Sequence, residues 1–260
     1  TEIDAMLSGK FGNASKTLVI EEFLHGEEAS VFALCDGKTA VPLVAAQDHK
    51  RAHDGDKGPN TGGMGAYSPT PAAPQSVVDQ AMSEMILPTL ETLEEAGAPF
   101  SGVLYAGLMI DKGKARLIEY NVRFGDPECQ IIMMRMQSDI VPYLKACAAG
   151  NLGQMPPIDW DDRPAVTVVM AAKGYPGNYE KGTEIKGLDA ANALDGVTVF
   201  HAGTTTGADG KILASGGRVL NVTAIGDDLP GAIRQAYAAV DMIDWPEGFC
   251  RRDIGWRAQT

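Results

Sequence analysis

The chain has 260 residues, 45% hydrophobic and 22% charged, with a mean hydropathy of −0.09. That composition suits one large or two ordinary soluble domains, and no apolar run approaches the ~18 residues of a membrane span. A net charge of −12 argues against a general nucleic-acid-binding role, because no basic field exists to draw in a polyphosphate chain.

A small anion can still bind where backbone N–H groups and a few cations converge. Cys35, Cys129, Cys147 and Cys250 form no C-x-x-C pair. They read as free, mostly buried thiols of a reducing compartment, and the expected location is the cytoplasm. The start lacks the basic and apolar regions of a signal peptide. Thr1 is not an initiator Met, and Ile3 to Lys10 reads as the tail of a helix already under way. The front of the protein is therefore expected to be absent.

In chain order, Ile3, Met6 and Leu7 fall at helical spacing. Thr17 to Phe23 reads as a strand. Ala29 to Cys35 and Thr39 to Ala46 read as a hairpin around the Asp36-Gly37 turn signal. Gln47 to Pro71 shows neither period and is expected as a long functional loop. Pro74 to Gly97 is an amphipathic helix with a kink at Pro88. Strands follow at Gly102 to Ile110 and Ala115 to Asn121, joined through Asp111-Lys112-Gly113.

Helices are expected near Gln130–Met136 and Asp139–Gly150, then a Pro/Gly/Asp-rich linker from Asn151 to Asp162. Beyond it, strands are expected at Ala165–Ala171, Val197–Ala202, Lys211–Ala214 and Arg218–Ile225. A helix over Leu229–Ile243 is capped by Asp227 or Asp228, with Pro230 at its first position. Trp160, Trp245 and Trp256 read as packing residues. Arg251-Arg252 reads as a solvated or salt-bridged pair. The four histidines show no metal-ligand spacing.

Three constellations could carry chemistry. In Glu21-Glu22-Phe23-Leu24-His25-Gly26-Glu27-Glu28, a strand turns at Gly26, and such a hinge can offer bare backbone groups to a purine edge. The same pattern fits a charged edge hairpin. Glu119 and Asn121 sit two apart on one strand, so both project from one face. Two oxygen ligands there suit Mg²⁺, with Arg123 in phase as a cation for phosphates; ordinary polar alternation is the alternative. In the Gln47–Pro69 loop, Gly62, Gly63 and Gly65 let backbone N–H groups approach an anion, and Lys50, Arg51 and Lys57 add charge. The run lacks the Walker pattern and also fits a flexible glycine loop.

Read together, IEEFLHGEEAS, QDHKR, GPNTGGMGAYSP, GVLYAGLMID, IEYNVRFGDPECQ and CRRDIGWRA occur in an order that closely resembles the phosphoribosylamine–glycine ligases. The likeness covers essentially the whole chain. It implies an α+β ATP-grasp fold, here its C-terminal half, followed by a small mixed α/β domain. The implied division is 1–23 as a remnant of the small lobe, 24–157 as the main lobe, and 158–260 as the C-terminal domain. The implied reaction joins glycine to 5-phosphoribosylamine through a glycyl phosphate, with ATP and Mg²⁺ (or Mn²⁺).

By resemblance, Glu21, Glu22, Phe23, Leu24, Glu28 and Asn121 bind the nucleotide, and Glu119 and Asn121 the metal. Arg123 and Asp126 are catalytic. Asp48, Lys50, Asn60, Thr61, Gly62, Gly63, Met64, Gly65 and Glu128 hold glycine and phosphoribosylamine. Gly107 stands where related enzymes place a further acidic metal ligand. The family's lysine and glycine-rich lid over the ATP phosphates lie upstream of Thr1, so the chain is expected to carry about half an ATP site. No nucleic acid, membrane or second subunit is expected. Two alternatives stay open: a non-catalytic nucleotide- or substrate-binding module, and another ATP-grasp carboxylate–amine ligase.

Overall fold

The computed structural model describes residues 2–10 and 12–258; Thr1 and Phe11 of the expected lobe remnant lie outside them. Helix α1 (Glu2–Ala5) runs into a π turn over Met6–Lys10. Thr17–Phe23 is not a strand. Among the described residues no strand pairs with it, and Val19, Ile20 and Phe23 are each more than three-quarters exposed. Strand propensity without a neighbouring strand leaves the ladder groups unpaired.

The expected hairpin is present. Strand β1 (Glu27–Asp36) pairs with β2 (Ala40–Pro42), and the Asp36 carboxylate closes the turn by accepting from the N–H groups of Lys38 (3.1 Å) and Thr39 (2.7 Å). The segment after it departs from expectation. Gln47–Pro71 contains four short strands: β3 (Gln47–Asp48), β4 (Arg51–His53), β5 (Lys57–Asn60) and β6 (Gly65–Ser68). The pairs β3·β6 and β4·β5 are antiparallel. Each strand is too short and too rich in glycine and polar residues to show a period, and distant parts of the chain hold them.

Helices α2 (Gln75–Ala81) and α3 (Leu87–Glu95) form one rod broken by a π turn at Met82–Ile86. The irregularity sits where Pro88 removes a helical donor. Strands β7 (Ser101–Asp111) and β8 (Lys114–Asn121) follow, then α4 (Glu128–Arg135) and α5 (Ile140–Ala149). The four strands β2-β1-β7-β8 form an antiparallel sheet. Both faces are covered, so β1 is apolar throughout its middle. Ala29, Val31, Ala33 and Cys35 pack with Leu104, Ala106 and Leu108 against Val77, Ala81 and Leu90. Phe32, Leu34 and Tyr105 point the other way, toward Ile131, Ile132 and Tyr143 of α4 and α5.

The remainder is a second layer. Strand β9 (Ala165–Ala172) is buried along its length. After it come β10 (Glu184–Ile185), α6 (Leu188–Asn192), β11 (Val197–His201), β12 (Thr204–Thr206), β13 (Ile212–Ala214), β14 (Arg218–Ile225), α7 (Leu229–Met242) and β15 (Gly248–Phe249). The N-cap of α7 is Asp228, which accepts from Gly231 N–H; Pro230 is the second helical residue rather than the first.

One sheet runs β11-β14-β9-β6-β3, with β15 on β9. Strands β3 and β6 therefore join the C-terminal layer across the expected boundary at 157/158. Ala232, Ile233, Ala236 and Val240 of α7 close one face. Trp245 packs there, whereas Trp256 is 41% exposed, with Arg257 stacked 5.4 Å from its ring. The Trp256 ring is a platform for that cation rather than core.

Candidate functional site

Antiparallel register decides which side chains share a face. Glu28 is opposite Met109, Ser30 opposite Gly107, and Phe32 opposite Tyr105. Gly107 is in turn opposite Glu119, and Tyr105 opposite Asn121. The face that carries Phe32 and Leu34 into the core therefore continues outward as Glu28, Ser30, Tyr105, Glu119 and Asn121. Gly107, between Ser30 and Glu119, leaves bare backbone there.

Glu128, at the start of α4, is buried against this face. Its Oε1 accepts from Tyr105 Oη (3.1 Å) and Ser30 Oγ (3.3 Å), and Ser30 also donates to Tyr105 at 2.8 Å. A Cβ on Gly125 would stand 2.4 Å from Glu128 Oε2, so glycine is what lets this carboxylate fold back. Burial pushes the Glu128 carboxyl above the ordinary range.

Asp48 lies close by. It is 8% exposed, and its carboxylate has no hydrogen-bond partner among the described residues. Burial first, and the Glu128 charge second, push it up to about 7. Lys50 forms an ion pair with Glu28. Burial would lower the Lys50 ammonium, but Asp48 and Glu28 more than offset that and hold it above its ordinary value. Asp48, Lys50, Glu28, Asn60, Arg51 and Arg257 line a cavity of about 450 Å³, within the range of small-molecule sites. Gln47 fixes its floor. Its Nε2 donates to Glu28 O at 2.9 Å, and its Oε1 accepts from Tyr67 and from Thr70 (2.9 Å).

A second cavity of about 410 Å³ adjoins it, lined by Glu21, Glu22, Phe23, Leu24, Arg116 and Leu117 among others; the two share Phe23, Glu28 and Met109. The Glu22 carboxylate takes a two-point contact from Arg116 at 2.7 and 3.2 Å. At the sheet edge, Asn121 Nδ2 donates to Glu119 Oε1 (3.1 Å), and Arg123 Nη2 donates to Asn121 Oδ1 (3.3 Å). Strand β8 ends at Asn121, so Arg123 reaches its partners from a bend. Among the described residues no three of His, Cys, Asp or Glu converge as a metal cluster.

The glycine loop divides. Asn60, Thr61 and Gly62 stay at the surface or half-buried. Met64 is fully buried, and its N–H and C=O pair with His49 O and Val169 N. Gly65 O accepts from His49 N, and a Cβ there would meet Thr167 O at 2.6 Å. The Met64 N–H and C=O are thus both taken by the framework, and Gly65 is packed too closely for a side chain. Gly63 has φ +112°, and a Cβ would stand 2.5 Å from Pro127 Cδ and 3.5 Å from Asp48 Oδ2. Gly63→Ala is expected to cost about 1–3 kcal/mol, read as a lower urea midpoint; an unchanged midpoint would show that the loop relaxes freely.

Asp126 is engaged rather than poised. Its carboxylate accepts from Arg218 (3.2 Å), Gln130 (3.2 Å) and Asn221 (3.4 Å). Arg218 also donates to Gly62 O (2.8 Å) and Gly63 O (3.3 Å), and Gly62 N–H donates to Tyr175 Oη at 3.1 Å. Residues more than ninety positions downstream therefore hold the loop. Arg218, Asn221 and Tyr175 carried no local sequence signal. Ser30 and Tyr105 lie in the IEEFLHGEEAS and GVLYAGLMID segments, and only the β1–β7 register brings them together.

The end of the chain pins the β4–β5 hairpin. Arg251, fully buried, donates to Asp253 (2.7 and 2.8 Å), Asp56 (2.9 Å) and Arg51 O (3.1 Å). Arg257 donates to Asp56, and Gly255 N–H to His49 Nε2 at 3.3 Å. Burial, with Arg251 and Arg257 nearby, lowers the His49 imidazole to about 3, so it is a neutral acceptor. Arg252 is the exposed member of the pair, bonded to Asp241.

Comparison with known proteins gives the family and the fold. The phosphoribosylglycinamide synthetase ATP-grasp (A) domain matches residues 1–129, and the C domain of the same synthetase matches residues 165–257. A cowpea (Vigna unguiculata) phosphoribosylamine–glycine ligase is 53% identical over 251 residues, spanning 95% of this chain and 80% of the relative. The chain belongs to the phosphoribosylglycinamide synthetase family.

The Brucella melitensis phosphoribosylamine–glycine ligase is 56% identical over 256 residues, 98% of this chain but 60% of the relative. The chain thus spans about 60% of the length of that bacterial synthetase. The crystal structure of the Thermotoga maritima phosphoribosylamine–glycine ligase superposes with a TM-score of 0.83 at 36% identity, covering 97% of this chain and 62% of that one. The fold is ATP-grasp. A biotin carboxylase domain of a 2-oxoglutarate carboxylase, at 15% identity and a TM-score of 0.62, shares that fold alone. Among the described residues no helix is long and apolar enough to cross a membrane.

Proposed function

We propose that the complete protein joins glycine to 5-phosphoribosylamine while ATP is converted to ADP and phosphate. This chain would carry the sheet face on which nucleotide, metal and both substrates meet. One observation carries the reading most: Glu119 and Asn121, joined by Arg123 from the following bend, share a sheet face with Glu28, Glu128 of α4 is buried against that face, and Asp48 of β3 lines the adjoining cavity floored by Gln47.

Adenine would sit in the Glu21–Leu24 cavity and its ribose near Glu28. Glu119 Oε1 and Asn121 Oδ1 are hard oxygen donors on one strand, already linked to each other and to Arg123. Two such oxygens fit Mg²⁺, or Mn²⁺, which keeps positions for phosphate and water. Bound there, the ion would neutralise phosphate charge. Arg123 would place a guanidinium on the transferring phosphoryl group.

A glycine carboxylate oxygen would bond to the γ-phosphorus as ADP leaves. The amine nitrogen of phosphoribosylamine would then bond to the carbonyl carbon as the C–O bond breaks and phosphate departs. That nitrogen carries a surplus proton, and Asp48 is a buried carboxylate at the cavity wall with no partner to displace. Lys50 and Asn60 would hold the substrates, with Thr61, Gly62 and Gly63 shaping the loop beside them and Glu128 behind Asp48. Asp126 becomes a positioning residue, since its carboxylate is taken up by Arg218, Gln130 and Asn221. The division 1–23, 24–157 and 158–260 is kept as a division by sequence, with β3 and β6 lent to the last part. Free thiols fit a reducing compartment such as the cytoplasm.

The test is ADP release by this chain joined to the unmatched part of the Brucella relative. ADP should form when glycine, phosphoribosylamine and Mg²⁺ are all present, and Glu119→Gln should cut the rate by about a hundredfold or more. ADP formation indifferent to glycine, or faster with another carboxylate, would sink the reading.

A further inference from the structure

A buried cation away from this face lacks a counter-ion. Arg135, the last residue of α4, is 6% exposed. Its Nε donates to Asp161 O (3.1 Å) and its Nη1 to Ser68 Oγ (2.7 Å). Nη2 has no acceptor among the described residues. Ser68 is neutral, and its own proton goes to Ala45 O at 2.6 Å. Asp161 and Asp162 lie near enough to attract the guanidinium, yet neither carboxylate forms an ion pair with it. The Asp161 carboxylate is held by Arg163, at 2.7 and 3.1 Å. Buried charges in folded proteins are normally paired, and two neutral acceptors leave this guanidinium free to take a carboxylate at Nη2.

Arg135 lines a cavity of about 340 Å³ that shares no residue with the two cavities above. Its walls are flat and apolar: Pro42, Pro69, Pro74 and Trp160, with Leu43 and Val78 behind. Thr70 and Gln75 add neutral polar groups, and no acidic residue lines it. A bare phosphate would satisfy the cation and waste the walls; a neutral ring would fill the walls and leave the cation unpaired. Both features are met by a ring that bears one carboxylate.

We infer that this cavity binds a small planar organic monocarboxylate, its carboxylate on Arg135 and its ring among the three prolines and Trp160. The site joins the β2–β3 connection, the start of α2, the end of α4 and the linker. An occupant would tie the grasp lobe to the C-terminal layer, independently of the reaction proposed above.

Benzoate is the probe, titrated calorimetrically into the chain, with benzyl alcohol and inorganic phosphate as the neutral and the ring-free controls. Saturable benzoate binding is expected, weakened about tenfold or more by Arg135→Met, with both controls binding at least about tenfold more weakly. Gln75→Trp, at an exposed rim position, keeps the cation and is expected to occlude the mouth. It carries the test alone if Arg135→Met fails to fold. The inference is overturned if wild type shows no saturable benzoate binding, or if benzoate binds Arg135→Met or Gln75→Trp as well as wild type. Phosphate or benzyl alcohol matching benzoate would equally overturn the ligand class.

Discussion

Arg251→Met is expected to destabilise the fold by about 3–5 kcal/mol, the usual cost of breaking a buried ion pair from one side. Methionine keeps the packed stem, so the loss is electrostatic. Asp253 would lose a two-point partner, and Asp56 would keep only Arg257. Arg251→Lys should recover part of the loss, because one ammonium cannot reproduce the fork across Asp253.

Acid dependence gives a second readout. Burial alone would raise the Asp253 carboxyl, but the Arg251 hydrogen bonds and the Gly55 N–H more than offset it and hold it down at about 2. A carboxyl depressed by folding contributes stability that is complete above its unfolded value, near 3.8, and is lost as pH falls toward 2. Wild type should therefore lose stability between pH 4 and pH 2 more steeply than Arg251→Met, within ~2 units of the ordinary carboxylate range. Urea unfolding followed by circular dichroism at both ends of that window measures it. Hydrogen exchange should also quicken in residues 51–60 well before β9, since the hairpin is what Arg251 holds. Equal stability of the two proteins at neutral pH would mean that the hairpin is anchored by its own ladder.

Those contacts mark the limit of what the sequence makes legible. Elements with a period and a boundary residue can be read locally: β7 and β8 around Asp111-Lys112-Gly113, α5 between Asp139 and Gly150, and α7 after Asp228. Thr17–Phe23 has the composition of a strand, but a strand is a pairing, and composition does not supply the partner. The converse holds for Gln47–Pro71: β3 and β6 are held by β9 about a hundred positions on, and the β4–β5 hairpin is pinned by Arg251, Asp253 and Arg257 some two hundred positions away. At the site, Glu119 and Asn121 were legible because two-residue spacing on one strand fixes a common face. That Ser30 and Tyr105 would hold Glu128 depends on the β1–β7 register, and the engagement of Asp126 depends on Arg218 in another layer.

Asp48→Asn separates function from stability most sharply, because the two should move in opposite directions. The Asp48 carboxyl is raised by folding to about 7, by burial and by Glu128. A raised carboxyl means that the folded state takes up a proton. Its stability is therefore greatest below the unfolded value near 3.8 and declines as pH rises through about 7, where the buried group must ionise unpartnered. Asparagine has nothing to ionise. Wild type should weaken between pH 5 and pH 8 relative to Asp48→Asn, leaving the variant the more stable protein at pH 8, by an amount of the order of a few kcal/mol at most.

Ligation by the complete protein should fall about a hundredfold or more in the same variant, the usual contribution of a positioned general base. The wild-type rate should also rise with pH through a single ionisation near 7 that the variant lacks. Asp48→Glu would restore a titrating group at altered reach, and with it part of the pH limb. If Asp48→Asn were instead less stable than wild type at pH 8, the carboxylate would have a partner in solution that holds it, and it would be a framework residue rather than a proton acceptor. A stable, inactive variant whose remaining rate still follows the wild-type pH limb would move the ionisation to Glu128, the other half of the buried pair.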